Sequence, residues 1–140
     1  MSLLLALLAA GCAGTDWASI SQQATGLRAS CESQLTSGAI KTRLAAEQCA
    51  NPAIHDLYAR AGWPDMDILD AYLAKREAIA AQWDRNAISP EEARAELAQA
   101  NVVQNSELQQ RATNRAAGVA ALRANMPVIC TRRGPTLICQ

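Results

Sequence analysis

The chain has 140 residues, and its 13 Lys and Arg balance its 13 Asp and Glu, so it carries no net charge near neutral pH. That balance excludes the strongly basic surface of a general nucleic-acid-binding domain, and we expect no nucleic-acid partner. Half of the residues are hydrophobic, but Phe is absent and aromatic residues make up only 4%. Because Ala is the most frequent of the apolar residues and buries little area, we expect a thin core between closely packed helices.

The N-terminus begins with an uninterrupted apolar run, Leu3 to Ala10. Its length is typical of the apolar part of a secretory signal, and it is too short to cross a bilayer, which takes about 20 residues. The run ends in Ala9-Ala10-Gly11-Cys12, which resembles the lipobox of bacterial lipoproteins. The alternative is an ordinary apolar helix start with a buried Cys12.

The lipobox resemblance implies the fate of the N-terminus. Residues 1–11 would be a signal peptide, and Cys12 would be acylated and become the first residue of the mature chain. Residues 12–16 would then form a lipidated tether to the bilayer. Ala13, which follows the cysteine, implies sorting to the outer membrane, on the side that faces the periplasm.

The remaining cysteines are Cys31, Cys49, Cys130 and Cys139. An even number of cysteines in an exported chain predicts disulfides, with three possible connectivities. We favour Cys31–Cys49 and Cys130–Cys139, because the members of each pair are close in sequence. A zinc site is the alternative, but the chain has no CxxC pair and only one His.

The first predicted helix starts after Thr15 or Asp16, either of which can act as its cap. Its apolar residues recur every three or four positions as far as Leu35, and the break comes at Gly38. A second, shorter piece is predicted from Ile40 to about Cys49.

Asn51-Pro52 predicts the cap and first residue of a separate short helix that ends at Gly62. Asp65 is then expected to cap the next helix, whose apolar stripe runs from Leu69 to Trp83.

Ser89-Pro90-Glu91-Glu92 predicts a capping box at the start of a long last helix. That helix is expected to reach about Asn125, with a thin inward-facing stripe that includes polar residues.

After Met126-Pro127, two short β-prone runs flank Gly134-Pro135, and mirror pairing places Cys130 opposite Cys139. The predicted fold class is therefore all-α, an elongated helical hairpin or bundle of about four to five helices with a long last helix. This helical domain spans residues 17–126. A small disulfide-closed β-hairpin is expected over residues 127–140.

This layout resembles small uncharacterised lipoproteins of proteobacteria. The matching residues are Gly11-Cys12, the turn Ile88 to Ala93, and the cysteine-closed tail Cys130 to Cys139. The resemblance implies a lipid anchor and an Ala-rich helical body, and it implies no enzymatic activity.

Candidate catalytic residues are few. His55 and the acidic cluster Asp65, Asp67 and Asp70 could serve a small periplasmic enzyme or ligand binder, which is the alternative function. The simpler interpretation is that these carboxylates cap the helix and interact favourably with the positive end of its dipole. No nucleophile motif is present, so we predict no catalytic residues, no metal and no cofactor.

Five arginines are concentrated near the C-terminus: Arg111, Arg115, Arg123, Arg132 and Arg133. They are either a solvated polar face or a contact for an anionic surface, such as lipid headgroups, lipopolysaccharide or an acidic partner protein. The leading hypothesis is a non-catalytic envelope lipoprotein whose body contacts an envelope protein or the cell wall. A structural spacer without a specific ligand is a further possibility.

Overall fold

The structure is a computed structural model that describes residues 15–126, 130–134 and 136–139. These residues contain four α-helices: α1 (Trp17–Thr36), α2 (Arg43–Arg60), α3 (Met66–Asp84) and α4 (Pro90–Ala124). Each helix packs on its neighbour in sequence, α1 on α2, α2 on α3 and α3 on α4. The helical fold and the long last helix are confirmed, since α4 has 35 residues and measures about 50 Å at 1.5 Å per residue. The predicted signal peptide and Cys12 lie outside the described residues.

The hydrophobic core lies between α1, α2 and α3. Its buried members are Cys31, Ala50, Ile54, Leu69 and Leu73. The long helix α4 adds small side chains, and Ala93 and Ala100 are buried where it meets the rest of the body. Because alanine buries little area, the apolar contribution of these two residues to the attachment of α4 is small.

The sequence-based prediction of two separate pieces around Asn51-Pro52 is wrong, because α2 continues through both residues. Asn51 does not cap a helix. Its side chain is buried, and its Nδ2 donates to the carbonyl of Leu73 at 3.3 Å and to Glu77 Oε1 at 2.8 Å, both on α3. Asn51 therefore bonds to a neighbouring helix, whereas the sequence predicted that it would cap a helix of its own.

Pro52 lies on the exposed side of α2 and has no N–H to donate to the carbonyl of Gln48. Ala50 and Ile54, two positions before and two positions after it, are buried in the core. Packing of an apolar face supplies most of the stability of a helix in a protein, which explains why α2 tolerates this proline.

Local caps fix the starts of α1 and α4 as predicted. Asp16 Oδ1 accepts hydrogen bonds from the amides of Ala18 and Ser19, so Asp16 is the cap of α1. At α4, Ser89 Oγ accepts from the Glu92 amide at 3.1 Å, and the Ser89 amide donates to Glu92 Oε2 at 2.7 Å. This reciprocal pair confirms the capping box.

The start of α2 is capped by the side chain of Thr42, which accepts from the Ala45 amide at 3.1 Å, and also by a carboxylate of α3. The Asp84 carboxylate accepts from the amides of Arg43 at 3.0 Å and Leu44 at 2.8 Å. The Arg43 guanidinium lies 3.4 Å from the ring centroid of Trp83, a cation–π contact. These contacts hold the α1–α2 loop against the end of α3, and α2 begins at Arg43 rather than near Ile40.

In the C-terminal tail, β1 (Cys130–Arg133) pairs antiparallel with β2 (Thr136–Cys139). The register places Cys130 opposite Cys139, and Gly134 in the turn has a φ of 63°. The side chains of both strands lie outside the described part of the chain, and so does the disulfide predicted between them.

In the described ranges, no helix combines the length and the apolar character that crossing a membrane requires.

Candidate anionic-surface site and ion pairs of the body

The first predicted disulfide is present. Cys31 of α1 and Cys49 of α2 are bonded, with their Cα atoms 6.0 Å apart. Cys31 is buried in the core and Cys49 is exposed, so the bond links the buried face of α1 to the outer surface of α2. This bond is consistent with the first pair of the predicted connectivity.

Arg111 and Arg115, two of the five predicted contact residues, bind acidic residues at the start of α3. Arg111 Nη1 donates to Asp67 Oδ1 at 2.8 Å and to Asp65 Oδ1 at 3.3 Å, and its Nη2 also bonds Asp67. Arg115 Nη2 donates to Asp65 Oδ2 at 2.6 Å. An external anion would therefore compete with these two carboxylates for both guanidinium groups.

Asp65 precedes α3 at the cap position, but its side chain makes no cap hydrogen bond. The predicted capping role is wrong because both carboxylate oxygens are bonded to the guanidinium groups of α4. The hydrogen bond from Arg111, and then its charge, hold the pKa of Asp67 below its usual value. The same hydrogen bond raises the pKa of the Arg111 guanidinium.

The other three arginines lie further along the chain. Arg123 is exposed in the last turn of α4. The side chains of Arg132 and Arg133 fall outside the described residues, although their backbone lies in β1. Contact of these arginines with an anionic surface stays a prediction.

The structure divides the acidic cluster that we considered for catalysis. Asp65 and Asp67 bind α4, whereas Asp70 Oδ1 lies 3.5 Å from His55 Nε2. The other ring nitrogen, Nδ1, lies 3.5 Å from Asp56 Oδ1. His55 therefore lies between two exposed carboxylates, and the alternative catalytic function retains His55 with Asp70 as its candidate pair.

The sequence analysis missed an ion-pair network centred on Glu47 of α2. Arg76 of α3 binds this carboxylate with two parallel hydrogen bonds, Nε to Oε2 at 3.0 Å and Nη2 to Oε1 at 2.7 Å. Arg28 of α1 adds a third contact, Nη1 to Oε2 at 2.5 Å. Burial opposes the charged form of Glu47, but the two guanidinium groups outweigh it and hold the pKa of Glu47 below its usual value.

The network continues to the fourth helix. Arg76 Nη1 donates to the hydroxyl of Tyr72 at 3.1 Å, and that hydroxyl donates to Asn101 Oδ1 of α4 at 2.6 Å. A chain of polar contacts therefore links all four helices of the body. Its signal in the sequence was Arg76 within the apolar stripe of α3, because a charged residue at a core position is rarely buried without a partner.

An open groove of about 460 Å³ lies between α3 and α4. Its walls include Ile68, Tyr72, Ala100 and Val103, and the Lys75–Glu96 ion pair, with Nζ and Oε2 3.2 Å apart, lies beside it. Among the residues that the structure describes, no three His, Cys, Asp or Glu side chains are grouped closely enough to hold a metal ion.

The chain matches no protein-family model, no curated protein and no solved structure. Function is therefore inferred from the residues themselves, chiefly the cysteines, the ion pairs and the distribution of charge.

Proposed function

We propose that the chain is a lipid-anchored protein of the bacterial envelope, attached through acylated Cys12, whose helical body acts as a non-catalytic interaction or structural module. The apolar run before Cys12 supports the anchor, and α1 starts only a few residues later, at Trp17. In this proposal the body lies directly at the bilayer surface, with an envelope protein or the cell wall as its partner.

The observation that carries the proposal is the disulfide between Cys31 and Cys49. Disulfides persist in oxidising compartments such as the bacterial periplasm and are rare in the reducing cytosol. A disulfide in the body and a lipobox-like segment before it therefore point to the same location.

The ion pairs support a non-catalytic role. Asp65 and Asp67 are bonded to Arg111 and Arg115. A catalytic carboxylate has to be available to substrate, and these two already stabilise the attachment of α4.

The anchor is tested by replacing the cysteine in the native host. We expect Cys12→Ser to move the protein from the membrane fraction to the soluble periplasmic fraction and to abolish labelling by a fatty-acid probe. Ala13→Ser is the matched control, since it changes the neighbouring residue but leaves the thiol, and it should remain labelled and in the membrane fraction.

A Cys12→Ser protein that stays in the membrane fraction to the same extent as Ala13→Ser would contradict the anchor. Labelling of both variants by the fatty-acid probe would contradict it as well, because the acyl group would then be attached elsewhere.

We extend the proposal to the tail, where a Cys130–Cys139 disulfide closes the hairpin. The opposition of the two residues in the strand register supports this pairing. With Cys12 acylated, the denatured wild-type protein should show no thiol that reacts with a maleimide, and Cys130→Ser should expose one. A wild-type protein with two reactive thiols would contradict the second disulfide.

A further inference from the structure

One end of the helical body brings together the starts of α1 and α3. Trp17, at the start of α1, lies with its ring centroid 4.7 Å from that of Trp63, in the α2–α3 connection. Tyr58 completes the aromatic group, 5.5 Å from Trp63. Asp65, two residues after Trp63, binds Arg111 and Arg115 of α4. We name this region the proximal end.

The helix α4 continues for nine residues beyond Arg115, about 13 Å at 1.5 Å per residue. Arg115 pairs with Asp65 at the start of α3, so this last part of α4 extends past that point. We name residues 116–126 the projecting segment, and all of its residues are exposed. Val119, Leu122 and Met126 are 48%, 70% and 68% exposed. Val119 and Leu122 are three residues apart and share a face of α4, and Met126 follows just after the helix ends.

Charge is divided unevenly along the chain. Residues 108–140 contain five Arg and no acidic residue, whereas residues 1–107 contain eight basic and 13 acidic residues. Arg111 and Arg115 are paired with Asp65 and Asp67 at the proximal end, so the excess positive charge rests on Arg123 of the projecting segment and on Arg132 and Arg133 of the tail after it. Aromatic side chains, exposed aliphatic side chains and arginines together are the composition that binds the headgroup region of an anionic membrane.

We propose that the proximal end and the projecting segment form a surface that binds an anionic lipid bilayer and orients the body on it. We identify the binding partner of this surface as the lipid bilayer because residues 1–14, which carry the proposed anchor, join the body at this end, at Thr15. Cys12 is five residues from Trp17, so it lies within about 18 Å of that residue even in a fully extended chain. The inference rests on the proposed function, since the acylated cysteine brings the bilayer to this end.

The three tryptophans provide the test. Trp83 lies near the other end of α3, about 26 Å from its start at 1.5 Å per residue, and the guanidinium of Arg43 covers its ring. One full-length chain keeps only Trp17, through Trp63→Phe and Trp83→Phe, and a second keeps only Trp83, through Trp17→Phe and Trp63→Phe. Both are reconstituted in vesicles of brominated phosphatidylglycerol and phosphatidylethanolamine, after circular dichroism has shown unchanged helix content.

We expect brominated lipid to quench most of the Trp17 fluorescence and little of the Trp83 fluorescence. Equal quenching of the two tryptophans, or quenching of neither, would overturn the orientation. Mass analysis of the N-terminal peptide from the same samples reports acylation separately, so failure of the anchor is distinguished from failure of the surface.

If that analysis finds no acyl group, the surface is tested on the free chain. Sedimentation with phosphatidylglycerol vesicles but not with phosphatidylcholine vesicles would support it, and sedimentation with neither would overturn it.

Two exposed residues of α4 provide a matched pair of variants. Leu122→Asn should reduce Trp17 quenching, or vesicle sedimentation of the free chain, severalfold. Val102→Asn, at a residue that is 61% exposed on the same helix but outside the projecting segment, should leave it unchanged. Equal effects of the two substitutions would contradict a role for the apolar face of the projecting segment.

Discussion

At the scale of single residues, the body depends on charges that are placed among apolar side chains. Glu47 receives hydrogen bonds from Arg76 and Arg28, so three helices meet at one carboxylate. Removing one partner of a buried ion pair costs more than the pair itself contributes, because the remaining charge stays buried without compensation. The stability of the α1–α2–α3 core should therefore be sensitive to this one residue.

We expect Glu47→Gln to lower the free energy of unfolding by about 3–5 kcal/mol, the typical cost of breaking a buried pair. Urea denaturation at neutral pH measures the change. Glu32→Gln is the control, since Glu32 is an exposed acid on α1 and its loss should cost less than about 0.5 kcal/mol. Similar effects of the two substitutions would show that the network contributes no more than a surface charge.

The pKa of Glu47, held below its usual value by Arg76 and Arg28, also makes stability depend on pH. A carboxyl group whose pKa is lower in the folded state contributes stability above its unfolded pKa and loses it as the pH falls through the folded pKa. As the pH is lowered from about 5 to about 3, the free energy of unfolding should therefore fall by more in wild type than in Glu47→Gln. Parallel pH profiles for the two proteins would contradict this assignment.

The residue scale also shows the limit of sequence reasoning. The spacing of Arg111 and Arg115 predicts that they share a face of a helix, and the structure agrees, because both bind Asp65. Their partners could not be predicted, since Asp65 and Asp67 lie more than 40 positions earlier in the chain. Separations of 19 and 29 positions likewise concealed the contacts of Glu47 with Arg28 and Arg76.

At the scale of helices, two caps formed by neighbouring residues could be predicted from the sequence, whereas contacts between helices could not. The caps at Asp16 and Ser89 were found from the sequence because a cap and its partners lie within three residues. At α2 the local cap Thr42 was missed, and the further contact of Asp84 with the first amides could not be predicted because Asp84 belongs to another helix. The course of α2 through Asn51-Pro52 was missed for the same reason, since Asn51 is held by α3.

Pro52 in α2 provides a substitution that should stabilise the protein. Pro52→Ala should raise the free energy of unfolding by on the order of 1–3 kcal/mol, because it restores a hydrogen bond to the Gln48 carbonyl within the helix. Thermal unfolding measures the effect. Pro64→Ala, in the turn before α3, should have the opposite sign because it adds freedom to the unfolded chain. A lower melting temperature for Pro52→Ala would contradict this account of α2.

A second substitution tests how α4 is attached to the start of α3. Asp65→Asn should weaken both arginine contacts and speed amide hydrogen exchange in residues 104–115, with little change in α1 and α2. Asp67→Asn is the control, because Asp67 is exposed and pairs with Arg111 alone. An unchanged exchange rate in α4 of Asp65→Asn would show that apolar contacts suffice to hold this helix.

For the whole molecule, the proposed location depends on Cys12 becoming the acylated first residue of an envelope protein. Mass spectrometry of the N-terminal peptide of protein isolated from its native membrane measures this most directly. The account predicts a peptide that begins at Cys12 and carries the added mass of a diacylglycerol and, with it, an amide-linked fatty acid. A peptide that retains residues before Cys12, or an unmodified thiol at that position, would contradict it.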